Sequence, residues 1–199
     1  MNRERQLVRE EATRLYDAQQ RRWGLDCELV AWATAGPAIT ALRAQVYEEK
    51  LPHMIAGGEP SDASDPRAHH FVARRDGLLV AAMRLLPAPF EAEALFPDMA
   101  RHLRADTRYV EIGRMVVAPG TADVGASRLL SLFGLVWGLT HTDYDGLIAY
   151  ARARTINHFR MLGLEVVDQI ASVPGKADQP YVLLVAHREN TLRHLGALG

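Results

Sequence analysis

Residues 109–127, YVEIGRMVVAPGTADVGAS, restrict what this chain can fold into more than any other stretch. An apolar strand pattern carrying one glutamate, Glu111, runs through a Gly-containing turn straight into a strongly apolar helix pattern, Gly125–His141. A strand that feeds a helix in this way sets the helix's unpaired N–H groups and the positive end of its dipole at the end of a sheet, where an anion can be held. Gly125 there reads as room for a ligand to approach the backbone.

The flanking periodicities fit a mixed α/β sheet. Arg3–Arg22 carries a helical stripe of Leu7, Val8, Ala12, Leu15 and Tyr16, which covers the core or meets a second copy in a homodimer. Cys27–Ala33 reads as a strand, Gly36 and Pro37 as the start of a helix over Ala38–Leu51, and Pro52–Arg67 as a long loop. Strands His70–Arg75 and Leu78–Leu86 flank Asp76-Gly77, a dipeptide suited to a two-residue hairpin turn. A short helix is expected within Pro97–Leu103 and a central strand at Tyr109–Val117. A strand at Leu147–Ala151 follows, then a helix at Thr155–Leu162 stopped by Gly163, and closing strands at Glu165–Ser172 and Tyr181–His187. The expected organisation is residues 1–24 as an amphipathic helix and 25–199 as one domain.

Composition removes several function classes. At 199 residues and 48% hydrophobic, the chain can bury a substantial core. A net charge of −1 lacks the positive field that nonspecific nucleic-acid binding needs. Only Lys50 and Lys176 are lysines, so the basic residues are nearly all arginine. The lone Cys27 rules out an intrachain disulfide and fits a reducing compartment. The charged amino terminus does not read as a signal peptide, and the apolar run Leu129–Leu139 is too short to span a bilayer, so a cytoplasmic location is expected. His69 and His70 are adjacent on a strand and so face opposite ways, and no zinc spacing occurs, so no metal is expected.

Gly125-Ala126-Ser127 at a helix start, with Asn157-His158-Phe159-Arg160-Met161-Leu162-Gly163-Leu164 downstream, resembles the GNAT acyltransferase superfamily. Arg43 in ALRAQVYEE, Asp65 followed by His70-Phe71-Val72-Ala73-Arg74, Arg84-Leu85-Leu86-Pro87 and Glu111-Ile112-Gly113-Arg114 make the chain most similar to the N-acyl amino acid synthases and the acyl-homoserine-lactone (autoinducer) synthases. The likeness runs from about Leu29 to Val167 and implies a GNAT fold: a mixed, mostly antiparallel sheet flanked by helices, here with an extra N-terminal helix. It also implies acyl transfer from a pantetheine thioester, carried by acyl-CoA or acyl carrier protein, to the amine of a small metabolite, with no tightly bound cofactor. An ordinary acetyl-CoA-dependent N-acetyltransferase and a non-catalytic sensor of acyl ligands are the alternatives.

The resemblance assigns the pantetheine arm to the backbone of Met115, Val116 and Val117, and its phosphate to Val124, Gly125, Ala126, Ser127 and Arg128, with Asn157 orienting the arm. Ala122 stands where the superfamily usually has Arg or Gln, and Asp123 adds a negative charge, which disfavours a CoA diphosphate.

Amide formation needs a base for the amine, and Glu111 is the candidate; otherwise it pairs with Arg84 or Arg114 inside the sheet. Alternation sends Glu111 and Arg114 to opposite faces, and a bulge near Gly113 would reunite them and splay the sheet. Tyr150 and His158 compete as proton donors to the departing thiol, while Arg43, Arg84 and Arg114 are candidates for holding an acceptor carboxylate. Ser127 lacks the second glycine of a nucleophile elbow and reads as a helix cap. Arg101, Arg104, Arg108, Arg152 and Arg154 would form a basic face for an acidic carrier protein. Trp23, Trp32, Phe133 and Trp137 read as core or as walls of an acyl tunnel.

Overall fold

Asp76 and Gly77 both take positive φ, 51° and 78°, the geometry of the mirror-image turn that joins twisted antiparallel strands. They link β2 (His69–Arg75) to β3 (Leu78–Leu86), and a seven-stranded sheet grows outward from this hairpin. The computed structural model describes residues 3–50, 60–119, 124–152, 155–170 and 180–196. Strands β1 (Asp26–Val30), β4 (Tyr109–Val117), β5 (Gly146–Arg152), β6 (Glu165–Ile170) and β7 (Tyr181–His187) complete the sheet in the order β1-β2-β3-β4-β5-β7-β6. Every neighbouring pair is antiparallel except β4 and β5.

One face packs on α1 (Arg3–Trp23) and α3 (Val124–His141), with the short α4 (Ile156–Arg160) and α5 (Arg188–Gly196) completing that layer. The opposite face is covered by α2 (Trp32–Lys50) over β2 to β4, and by the β3–β4 connection, with its 3-10 turns at Glu91–Ala94 and Met99–His102, over β5 and β7. Between those two apolar patches lies a polar seam.

Several expectations shift. The first helix buries Arg5, Val8, Ala12 and Leu15 at helical spacing, while Leu7 faces solvent. Arg5 replaces it in the stripe because its guanidinium serves the unsatisfied C-terminal end of α3. It donates to the carbonyls of Leu139 (3.0 Å), Tyr144 (2.8 Å) and Thr142, and pairs with Asp145 at 2.6 Å. Helix α2 begins at Trp32, ahead of Gly36-Pro37, and β1 accordingly stops at Val30. The Trp32 ring lies where a side chain at residue 36 would stand, so glycine lets the tryptophan fold back over the first turn. Helix α5 follows β7 directly and has no counterpart in the sequence reading. The loop expected over residues 52–67 is described only from residue 60, where it holds a 3-10 turn at Asp65–Arg67, and residues 171–172 lie outside the described residues.

Gly163 ends the turn after α4 with φ +82°, and a Cβ there would come within 2.7 Å of the backbone of Asn190 and Thr191 in α5. Gly163→Ala is therefore expected to lower unfolding free energy by about 2 kcal/mol or more, read by urea denaturation, because backbone strain and collision add.

Among the described residues, no helix is long and apolar enough to cross a membrane, and no group of His, Cys, Asp or Glu side chains could hold a metal ion.

Candidate active site

Strand β4 is paired unequally on its two sides. Toward β3 it pairs from Glu111 to Val117, interrupted by a bulge, whereas toward β5 it pairs only at Tyr109, Val110 and Glu111, opposite Gly146, Leu147 and Ile148. Beyond Glu111 the strands part, although β4 continues to Val117 and β5 to Arg152. A wedge-shaped gap opens in the sheet with Glu111 at its apex. The Ala118 N–H bonds to Val80 on β3 (2.8 Å), so by strand alternation the N–H groups of Met115 and Val117 point away from β3, toward the gap. Val116 is buried against α2, and Met115 and Val117 are half-buried on the opposite face.

The bulge supplies the change of side that simple alternation denied. Ala82 pairs with Val116 but Arg84 with Gly113, so β4 carries an extra residue, and Arg114 takes it up with φ +52°. This puts Arg114 on the face occupied by Glu111, Arg84 and Tyr150.

A ring of alternating charge occupies the seam. Arg84 pairs with Asp62 (2.9 Å), Asp62 with Arg114 (2.7 Å), Arg114 with Glu91 (3.0 Å), and Glu91 back to Arg84 (2.7 Å). Behind it Asp65 bridges Arg84 (2.7 Å) and Arg43 (2.8 Å), and its backbone carbonyl meets Nε2 of the buried His70 at 2.7 Å. Although burial opposes its charge, hydrogen bonds from Arg84 hold the Asp62 carboxyl well below the usual carboxylate range. The side chains of Arg43, Arg84 and Asp65 are 0% exposed, while Arg114 keeps 13%. An acceptor carboxylate therefore cannot reach Arg43 or Arg84 while their acidic partners stay in place; those two brace the seam, and Arg114 alone of the three stands at its rim.

Glu111 is 1% exposed and stands apart from the ring. Its Oε2 accepts the Ala92 N–H at 3.0 Å, and its Oε1 has no hydrogen-bond partner among the described residues. Burial pushes its pKa up from 4.5 to about 7, with the negative charge of Glu91 adding to the effect and the Ala92 N–H and Arg84 opposing it. It is not salt-locked, and it can change protonation near neutral pH. Tyr150, on β5, donates to Glu91 Oε2 at 3.3 Å. Burial first, then the charges of Glu91 and Glu111, keep its phenol protonated well above the ordinary range.

The structure does not bring His158 to this cluster. Its Nε2 lies 3.1 Å from Ser131 Oγ of α3, on the other face of the sheet, and burial favours the neutral ring. Asn157 is exposed on α4. At the α3 start, a Cβ on Gly125 would fall 2.3 Å from the Trp23 ring, so this glycine makes room for the end of α1. Ala126 is buried, Ser127 and Arg128 are half-buried, and Ala122 and Asp123 lie outside the described residues, as does the side chain of Val124. Three of the five arginines of the expected basic face are paired with acids, Arg101 with Asp168 (2.8 Å), Arg104 with Glu189 (2.9 Å) and Arg108 with Asp143, while Arg154 is outside the described residues. Phe133 and Trp137 pack on Phe71 in the core, and neither lines the cavity of about 30 Å³ enclosed by Leu85, Val110, Ile112, Gly134 and Gly138.

Sequence reasoning missed Glu91 and the Ala92 N–H. Nothing in FEAEA distinguishes Glu91 from Glu93; only the fold sets one against two arginines.

The family model of the N-acyl amino acid synthase FeeM matches residues 38–187. No curated protein sequence matches the chain. Among solved structures, FeeM, an N-acyl amino acid synthase from uncultured soil microbes, is 12% identical and superposes with a TM-score of 0.61 over 83% of this chain and 91% of its own. The AHL synthase LasI is 16% identical, with a TM-score of 0.57 over 80% and 89% of the two chains. The protein yncA from Salmonella typhimurium, solved with its cofactor acetyl-CoA, is 14% identical, with a TM-score of 0.56 over 82% and 94%. At such identities the superpositions establish the shared GNAT fold.

Proposed function

The chain belongs to the FeeM N-acyl amino acid synthase family and is an acyltransferase of GNAT type, and from that premise we propose that it moves an acyl group from a pantetheine thioester to the amine of an amino acid or a derivative. One observation carries the reading: the gap between β4 and β5 ends at a buried carboxyl group with a free oxygen and a titration near neutrality.

The pantetheine arm lies in the gap as an added strand, and the N–H groups of Met115 and Val117 hold its amides and the developing oxyanion. The donor's phosphate end faces the first turn of α3, where Ser127 and Arg128 stand. Glu111, directly or through a water, takes the proton from the amine, whose lone pair attacks the thioester carbon. The C–N bond forms, the intermediate collapses, the C–S bond breaks, and the thiolate accepts a proton.

Glu111 is better suited than Tyr150 to return that proton, because a carboxyl near 7 gives it up readily to a thiolate near 8.5 and the phenol does not. Tyr150 orients the site through Glu91, and His158 takes no part. Arg114, at the rim, holds the acceptor carboxylate.

The test combines calorimetric titration of acetyl-CoA and a long-chain acyl-CoA with a thiol-release assay across the amino acids, and repeats the assay with an acylated carrier protein. Transfer from the long-chain acyl-CoA or the acylated carrier protein to an amino acid supports the reading. Transfer from acetyl-CoA alone makes the protein an ordinary N-acetyltransferase, and donor binding without transfer to any amine makes it a sensor.

A further inference from the structure

We propose that Glu91 is a positioning residue for the transfer: from a short turn outside the sheet it holds Arg84, Arg114 and Tyr150 around Glu111 and balances their charge, so that Glu111 can serve as the base. The proposal rests on the reading of Glu111 given above.

The geometry is that of a bracket with two arms one residue apart. The backbone arm is the Ala92 N–H, which fixes Glu111 Oε2 at 3.0 Å and leaves Oε1 free. The side-chain arm is the Glu91 carboxylate, whose Oε1 meets Arg84 at 2.7 Å and Arg114 at 3.0 Å, and whose Oε2 accepts from Tyr150 at 3.3 Å. One side chain thus links β3, β4 and β5 just past the apex of the wedge, where β4 and β5 no longer pair. The charges acting on Glu111 are Arg84 from β3 and Glu91 from the connecting turn, with Tyr150 from β5 beside them; Arg114 stands across Glu91, Asp62 lies beyond the two arginines, and Asp65 and Arg43 behind Arg84. Without Glu91, Arg84 and Arg114 would each lose an anionic partner, and the surroundings of Glu111 would turn net positive.

A neutral residue at position 91 then favours the ionised form of Glu111 and makes it a weaker base. The test is a pH titration by carbon-13 NMR of glutamate-labelled protein, with the Glu111 carboxyl signal assigned by its loss in Glu111→Gln. In Glu91→Gln the Glu111 midpoint is expected to move about one pH unit toward acid, the scale of one charge removed at short range in a partly screened interior. In active protein the acid limb of the kcat/KM profile moves with it. A folded Glu91→Gln protein with an unmoved Glu111 midpoint overturns the proposal, since a merely structural glutamate would lower stability without shifting that titration. Should Glu91→Gln not fold, Glu91→Asp is read in the same way: it keeps the charge but draws it off Arg84 and Arg114, a smaller move toward acid is expected, and none overturns the proposal. If no donor and amine turn over in the wild-type protein, the proposed function fails while the titration still decides the role of Glu91.

Discussion

Glu111→Gln is expected to lower kcat for acyl transfer by about 10²- to 10⁴-fold, and to raise unfolding free energy at pH 8 by about 3 kcal/mol. Both effects come from one displaced titration. The folded value of about 7 lies above the ordinary 4.5, so folding takes up a proton between those two pH values. Below 4.5 the carboxyl is protonated in both states and burial carries no ionic penalty. The penalty builds as pH rises and is complete above about 7, where the folded chain must hold a buried carboxylate.

Glutamine removes that penalty and keeps the contact with the Ala92 N–H. The stability gain should therefore vanish near pH 4 and be full at pH 8. In the wild type, kcat/KM should climb about tenfold per pH unit below 7 and level off above it, because the proposed base works as the unprotonated carboxylate. Thiol-release kinetics and urea unfolding at pH 4, 6 and 8 measure the two halves. A glutamine variant that turned over normally would remove Glu111 from the chemistry, and a stability gain independent of pH would remove the buried titration.

Asp65→Asn should be far more damaging than the same change at Asp62. Asp65 is the shared anion between Arg43 and Arg84, and all three side chains are fully buried. Neutralising it strips Arg43 of its carboxylate partner beside the Arg84 guanidinium, which keeps only Asp62 and Glu91, and no water reaches the pair to screen it. Breaking a buried pair in this way costs about 3–5 kcal/mol, a large part of a domain's total stability. Asp62→Asn removes a carboxylate that remains 24% exposed, and water can replace much of what it loses, so about 1–2 kcal/mol is expected. The ordering of these two variants in denaturant titrations is the measurement. If the Asp62 variant were the weaker of the two, Asp65 would not be the keystone of the seam.

The strands and helices of this fold were legible wherever a local rule sufficed. Asp76-Gly77 named its hairpin, and the β4 pattern marked the central strand because alternation and β-branched residues agreed. Gly36-Pro37 misled, since proline usually opens a helix, yet here the turn before it is closed by Thr34 and Ala35 N–H groups bonding to Ala31. Helix α5 was missed because RENTLRHLG is mostly polar, with only Thr191 and Leu195 buried beneath it.

The site was legible in its residue types and less so in its partners. A bulge could be inferred from the odd spacing of Glu111 and Arg114, but not that arginine rather than glycine would take the left-handed position. That Arg43 and Arg84 are sealed away, and that Glu91 joins Arg84 to Arg114, depends on contacts between segments distant along the chain, which no periodicity records.

The lopsided pairing of β4 has a mechanical consequence. Past Glu111 the edge of β4 that faces β5 carries no ladder while its other edge stays paired with β3 out to Val117, so β3 and β4 together form one arm of a pair of tongs and β5 the other, meeting at one pivot. Tyr109, Val110 and Glu111, held to β5 by the parallel ladder, form that pivot. Glu91, which meets Arg114 on the first arm and Tyr150 on the second, ties the two just past that pivot, so the spacing at Glu111 and the breadth of the mouth are set by different contacts.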